Sequence, residues 1–151
     1  MIVPFDVFEN RRPGFMAGCT SVKLSHSGYS GGGETLSLVA AERPDLFTAA
    51  LHVSSWWDGN FTKLVAAKTP VYFVIGESDE YYSSRPARDA YSNLRSLYQK
   101  EGLSDQQIGR LAVLDLRNSL YFLTRNVTNQ HGGGTLFAYD KAVKGWLFGE
   151  H

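Results

Sequence analysis

The feature that most constrains the fold is an uninterrupted apolar segment, Val71-Tyr72-Phe73-Val74-Ile75, near the middle of the chain. A strand that is apolar at every position is buried on both faces, which is typical of parallel sheets covered by helices on either side. Segments with strand and helix periodicity alternate along the chain, as parallel strands require. The sequence therefore predicts an α/β fold with a mainly parallel sheet flanked by helices.

The other predicted elements are arranged around that strand. Strand patterns cover 20–27, 48–53 and 111–116, and helical patterns cover 34–42, 63–67 and 139–147. Ser84 is expected to cap the longest helix, with Gly102 at its end. Ser104-Asp105-Gln106-Gln107 fits a capping box for a further short helix. A glycine-rich turn is predicted between the first strand and its helix.

Composition restricts the classes of function. The chain has 151 residues, which suits one domain, and 15 basic and 15 acidic side chains give it zero net charge. Zero charge removes the basic footprint of a nucleic-acid-binding protein, and no apolar run approaches the ~20 residues of a membrane span. The single cysteine, Cys19, excludes an intrachain disulfide and a multi-cysteine metal site. The expected partners are small molecules or peptides.

The amino terminus bears on location. Met1-Ile2-Val3-Pro4-Phe5 lacks a basic leader, and Asp6 and Glu9 interrupt the apolar stretch, so no secretory signal is predicted. A cytoplasmic location follows only if Met1 is the natural start. The two glycosylation sequons, at Asn60 and Asn126, are expected to be unmodified.

A serine flanked by glycines stands between the first predicted strand and the first predicted helix. Gly28-Tyr29-Ser30-Gly31-Gly32 matches G-x-S-x-G, the pattern of a nucleophilic serine on a sharp strand-to-helix turn. Gly28 and Gly32 are expected to be required because side chains there would clash. The N–H of Gly31 would lie near a helix amino terminus, where developing negative charge is favoured. The alternatives are a structural serine and a phosphate-binding loop, although no Lys-Ser or Lys-Thr follows.

A serine hydroxyl needs a histidine to act as its base. Among the four histidines, His131 is preferred because it lies in the glycine-rich segment Asn129–Gly134, after the last predicted strand. A histidine on such a loop can reach across to Ser30. The other three are expected to be packed or surface imidazoles: His26, His52 and His151.

The histidine in turn needs an orienting carboxylate. Asp79 follows the apolar strand at the carboxyl edge of the sheet, where open α/β folds bind their ligands. Glu80 and Glu77 are neighbouring alternatives, and a solvated acidic loop is the structural explanation for all three.

Residues from about 20 to 149 resemble the carboxyl-terminal half of an α/β-hydrolase of the esterase and prolyl-oligopeptidase-like kind. Five segments carry the resemblance: Gly28–Gly32, Val74–Tyr82, Asn129–Gly134, Leu136–Asp140 and Gly145–Phe148. The order Ser30, Asp79, His131 is the order of that superfamily. The resemblance implies a serine hydrolase that cleaves carboxylic esters, or peptides, through an acyl-enzyme. Ser30 would be the nucleophile, Asp79 the acid, His131 the base and Gly31 an oxyanion donor, with no cofactor.

The chain departs from the family pattern on its amino-terminal side. A complete member carries several strands before its elbow, whereas 29 residues precede Ser30. We therefore expect one partial α/β-hydrolase domain over 1–151 that lacks the usual amino-terminal strands, unless a longer natural chain completes it. No counterpart of the loop that donates a second oxyanion N–H is found, because His131-Gly132-Gly133-Gly134 lies downstream of the serine.

An incomplete sheet has consequences for partners and for activity. It would leave a strand edge and apolar surface uncovered, which favours self-association into a homo-oligomer. The serines and Lys23 on one face of the first strand are expected to meet solvent or to mark a fragment. The alternative function is a non-catalytic remnant that acts as a binding or interaction module.

Aromatic side chains cluster where the active edge is expected. Trp56 and Trp57 follow one predicted strand, and Tyr81 and Tyr82 follow another. Substrate-binding roles are predicted for Tyr29, Trp56, Trp57 and Tyr81. Core packing or a subunit contact explains the same residues equally well.

Overall fold

The computed structural model describes residues 23–149, which contain a four-stranded sheet in which all neighbouring strands are parallel. The strands lie side by side in chain order: β1 (Leu24–Tyr29), β2 (Phe47–Val53), β3 (Val71–Gly76) and β4 (Ala112–Arg117). This arrangement confirms the predicted α/β class. The predictions for the amino terminus, for Cys19 and for His151 lie outside the described residues.

One face of the sheet is covered by the first four α-helices. These are α1 (Gly31–Glu42), α2 (Thr62–Ala67), α3 (Arg85–Lys100) and α4 (Asp105–Leu111). Their apolar side chains form a core with alternate residues of the sheet: Leu36, Ala40, Leu64, Leu94, Tyr98 and Ile108 on the helices, and Ala50, Val71, Phe73 and Ala112 on the strands.

The opposite face is covered by the carboxyl-terminal elements. These are α5 (Ser119–Leu123), a 3₁₀ helix over Gly132–Tyr139 and α6 (Lys141–Leu147). Phe122, Phe137 and Val143 pack there against Tyr72 and Val74 of β3. Because Val71 and Phe73 enter the first core while Tyr72 and Val74 enter the second, β3 has no solvated face. This explains why its sequence is apolar throughout.

Several element boundaries differ from the sequence prediction. Helix α1 begins at Gly31, so three glycines assigned to the turn form the first turn of the helix instead. Helix α6 begins at Lys141, and Asp140 caps it by accepting the backbone N–H groups of Ala142 and Val143. Tyr139, where a helix was predicted to start, belongs to the preceding 3₁₀ helix.

The residues that begin and end α3 and α4 agree in part with those predicted from the sequence. The capping box at Ser104 is present as predicted, and Gly102 has the positive φ of +80° that favours glycine. Ser84 occupies the N-cap position of α3 as predicted, but its hydroxyl donates to the Glu77 carbonyl at 2.9 Å and makes no cap bond to the helix. The Ser84 hydroxyl therefore bonds to the loop that precedes α3, and not to the backbone N–H groups of the helix.

Strand β1 forms an edge of the described sheet. Its face with serines is partly covered, because the Ser25 hydroxyl donates to the Leu147 carbonyl at the end of α6. Ser27 is exposed, and Leu24 on the other face is 42% exposed. Within residues 23–149, no helix combines the length and the apolar character needed to cross a bilayer.

Candidate active site

Ser30 occupies a strained bend between β1 and α1. Its φ of 53° and ψ of −130° lie outside the usual regions for a residue with a side chain, which costs on the order of 1–3 kcal/mol. Two bonds hold the bend, one to the last residue of β2 and one to the segment that follows it. The Ser30 N–H donates to the Val53 carbonyl at 3.1 Å, and the Ser55 hydroxyl donates to the Ser30 carbonyl at 2.6 Å. The neighbouring strand therefore stabilises a conformation that the local sequence disfavours.

The glycines of the bend differ in what they allow. A Cβ on Gly28 would lie 2.5 Å from the carbonyl oxygen of Gly32, whereas a Cβ on Gly32 would meet nothing within 4 Å. The expectation that Gly32 must lack a side chain is therefore wrong. The second crowded position is Gly33, where a Cβ would lie 2.5 Å from the Cβ of Ser55. The approach of β2 to α1 imposes that requirement.

Three predicted site residues form a hydrogen-bonded chain. The Nε2 atom of His131 lies 3.1 Å from the hydroxyl of Ser30, and its Nδ1 atom lies 3.0 Å from Oδ2 of Asp79. The Asp79 side chain is fully buried, and that of His131 is 17% exposed. Because a carboxylate can only accept, Nδ1 carries the proton and Nε2 faces Ser30 as an acceptor. This arrangement can take a proton from the serine hydroxyl.

The carboxylate of Asp79 is itself held in place. Its Oδ1 atom accepts the backbone N–H groups of Tyr81 at 3.0 Å and Tyr82 at 2.8 Å. One oxygen is thus bound by the loop between β3 and α3, and the other is directed at the imidazole. The rotamer of Asp79 is fixed from its own loop.

The two alternative carboxylates lie elsewhere. Glu80 accepts the backbone N–H groups of Gln130 at 3.0 Å and His131 at 2.9 Å, and these bonds, that of Gln130 foremost, lower the pKa of its carboxyl group. The side chain of Glu77 is exposed, and its backbone bonds to Arg117 and Ser84. Of the three candidates, Asp79 is the one that contacts the imidazole ring.

Gln130 was not identified from the sequence, although it joins the two loops of the site. Its Oε1 atom accepts the N–H of Ser78 at 2.9 Å, and its Nε2 atom donates to the hydroxyl of Ser119 at 3.0 Å. The side chain is buried, and it crosses above Gly76 at the end of β3, where a Cβ would collide with it. Its position beside the histidine was the only signal in the sequence.

Two predicted substrate-binding tyrosines contact His131. The hydroxyl of Tyr29 donates to the His131 carbonyl at 2.8 Å, and its ring stacks on the imidazole with centroids 5.5 Å apart. Burial, followed by the nearby charge of Asp79, raises the pKa of Tyr29, so its hydroxyl keeps its proton. Tyr81 is largely exposed and stacks on the imidazole at 5.1 Å. The contacts of Tyr29 favour support of the histidine over lining of a pocket.

Tyr82 and Glu34 form a polar pair beside the serine. The Tyr82 hydroxyl donates to Oε1 of Glu34, in the first turn of α1. Burial, and then this hydrogen bond, raise the pKa of Tyr82 to about 12. The phenol therefore stays protonated next to the serine hydroxyl. No sequence motif pointed to this pair.

The two tryptophans have different surroundings. Trp57 is buried, stacks on Phe61 at 5.0 Å and donates its indole N–H to the Gly59 carbonyl. Trp56 is 49% exposed and lines a groove of about 540 Å³, which Tyr82 also borders. Trp56 is therefore accessible to a ligand in that groove. Trp57 also lines the groove but is mostly covered by its neighbours.

The remaining described histidines lie away from this chain of bonds. His52 is fully buried beside Trp57 and Phe73, with Nε2 3.1 Å from the Trp56 carbonyl, and burial lowers its pKa to about 4. His26 is exposed and packs edge-on to Phe47. Among residues 23–149, no three His, Cys, Asp or Glu side chains are grouped as ligands for a metal ion.

The sheet, with the bend at its carboxyl edge, defines the class of fold as α/β. The structure is similar to that of a thermostable esterase, with a TM-score of 0.60 and 18% sequence identity. The matched region covers 81% of this chain and 29% of the esterase, so the chain spans less than a third of that protein's length. No protein-family model matches the sequence, and no curated protein matches it. The similarity shows the fold.

Proposed function

We propose that this chain is a serine hydrolase domain that cleaves carboxylic esters, with peptides as the less favoured substrates. The observation that carries the proposal is the continuous chain of hydrogen bonds from Ser30 through His131 to Asp79. The esterase-like fold supports it. A packed histidine and a structural serine would not need a fully buried carboxylate directed at the second ring nitrogen.

The proposed reaction forms and breaks an acyl-enzyme. As Oγ of Ser30 attacks the ester carbonyl carbon, Nε2 of His131 takes the hydroxyl proton, and Asp79 stabilises the imidazolium. The imidazolium then gives that proton to the departing alkoxide, which leaves as the alcohol. Water repeats the sequence on the acyl-enzyme, releases the carboxylic acid and restores the hydroxyl of Ser30. These steps need no cofactor.

The proposed oxyanion donor is the N–H of Gly31. Gly31 is the first residue of α1, so its N–H has no partner one turn back in the helix. The amino-terminal end of a 12-residue helix also favours negative charge. One such donor is typically worth about 10²–10³ in turnover. The prolyl-oligopeptidase-like character, the single domain over 1–151 and self-association through an uncovered sheet edge stay predictions.

The aromatic residues are proposed to divide into two groups. Trp56 would contact the acyl or leaving group in the groove that Trp57 and Tyr82 also line. Tyr29 and Tyr81 contact the imidazole, and there they would support the base and exclude water. Arg85, Asp89 and Asn93 line the same groove beside the aromatic side chains, so its mixed lining can take polar as well as apolar esters.

The test is labelling and turnover in matched serine variants. A fluorophosphonate probe should label the wild-type chain at Ser30, and Ser30→Ala should lose both labelling and hydrolysis of p-nitrophenyl acetate. Ser27→Ala, at an exposed position of β1, is the control and should retain both. Equal background rates in the wild type and Ser30→Ala would instead favour a non-catalytic binding module.

A further inference from the structure

Adjacent carboxylates in the loop between β3 and α3 hold two different parts of the same histidine. Oδ2 of Asp79 is bound to the ring nitrogen Nδ1, whereas Oε2 of Glu80 accepts the main-chain N–H of His131. We propose that Glu80 is a positioning residue that sets where the imidazole lies relative to Ser30. This inference rests on the proposed function and adds a residue that touches neither the ring nor the nucleophile.

Glu80 supplies acceptors for backbone N–H groups that would otherwise lack them. His131 and Gln130 immediately precede the 3₁₀ helix at Gly132–Tyr139, and N–H groups at the start of a helix have no partner within it. Asn129 accepts the N–H of Gly132 through its side chain and that of Gly133 through its carbonyl. Glu80 accepts the two N–H groups that are left, with one oxygen for each. A charged acceptor makes such bonds stronger than a neutral one.

Apart from Nε2, every polar group of His131 is held by a residue other than the serine. Its N–H is bound by Glu80, its carbonyl accepts the hydroxyl of Tyr29 at 2.8 Å, and its Nδ1 is bound by Asp79 at 3.0 Å. The remaining group is Nε2, which faces Ser30. If Asp79 alone held the ring, movement of the His131 backbone would still shift the imidazole relative to Ser30.

Glu80 is therefore expected to act on rate and not on substrate affinity. General-base geometry must be kept within about 0.5 Å, and a displacement of about 1 Å can cost on the order of 10²-fold in rate. Glu80→Ala should lower kcat for p-nitrophenyl acetate by roughly 10- to 100-fold, with KM unchanged. Glu80→Gln keeps one acceptor oxygen and should recover part of the loss.

The matched control is Glu77→Ala. Glu77 lies in the same loop and is also exposed, and its structural contacts run through its backbone, so kcat should stay at the wild-type value. A fall in kcat of equal size in Glu77→Ala and Glu80→Ala would overturn the proposal, since it would reflect loss of negative charge from the loop. An unchanged kcat in Glu80→Ala would overturn it too.

A second measurement decides the matter independently of turnover. In Glu80→Ala, the backbone amides of Gln130 and His131 should exchange faster with solvent, and the downfield NMR signal of the His131 Nδ1 proton should broaden. Both should be unchanged in Glu77→Ala. Unchanged exchange at 130 and 131 in Glu80→Ala would refute the positioning role. A wild-type chain that neither labels nor turns over would refute the proposed function alone.

Discussion

The two glycines of the G-x-S-x-G pattern should respond oppositely to alanine. In Gly28→Ala the new Cβ would lie 2.5 Å from the carbonyl oxygen of Gly32 and 2.8 Å from the Cα of Gly33. Carbon contacts are optimal at about 3.5–4.0 Å, so the overlap is on the order of 1 Å. The crowded atoms belong to the backbone, so no side-chain rotation relieves the contact. Strand β1 and the first turn of α1 would have to separate.

The expected energies follow from these contacts. Overpacking costs typically about 1–3 kcal/mol, and rigid backbone neighbours place Gly28→Ala near 3 kcal/mol of lost unfolding free energy. Gly32→Ala adds its methyl group to open space on a helix, where alanine is favoured over glycine by up to about 1 kcal/mol. The two variants should therefore differ by roughly 3–4 kcal/mol, although the motif treats both positions alike.

Urea unfolding followed by tryptophan fluorescence measures this difference. With a slope of about 2 kcal/mol per molar urea, Gly28→Ala should lower the midpoint by roughly 1.5 M, and Gly32→Ala should leave it unchanged or raise it. A wild-type midpoint for Gly28→Ala would refute the crowding argument. So would a loss in Gly32→Ala as large as that in Gly28→Ala.

Two further variants test the surroundings of the histidines. Tyr29→Phe removes the hydroxyl bound to the His131 carbonyl and should cost about 1 kcal/mol in urea unfolding as well as lowering kcat, whereas Tyr139→Phe, at a residue 77% exposed, should do neither. Burial lowers the pKa of His52 to about 4. Between pH 6.5 and 4, His52 therefore binds a proton in the unfolded chain but stays neutral in the folded chain. Wild-type unfolding free energy should therefore fall over that interval by roughly 3 kcal/mol more than that of His52→Gln, and parallel pH profiles for the two proteins would refute this.

The sequence predicted the fold wherever the signal was local. Val71–Ile75 was assigned to a buried strand from its unbroken apolar character, and Ser104 to a capping box from residues three positions apart. Ser30, Asp79 and His131 were singled out because each follows a strand-like segment and belongs to a residue type with the required chemistry. Periodicity and caps depend on neighbours within about one helical turn, which a single sequence displays directly.

Tertiary structure decided the points at which two distant segments meet. Gly33, and not Gly32, is the crowded glycine because β2 brings Ser55 against α1. Asp79 and Glu80 are adjacent and chemically alike, yet one binds the ring of His131 and the other its backbone, across about fifty residues of chain. Which of two neighbouring carboxylates faces a ring depends on how a loop approaches after several helices and strands have packed. No local pattern encodes that approach, since it is the sum of the packing between them.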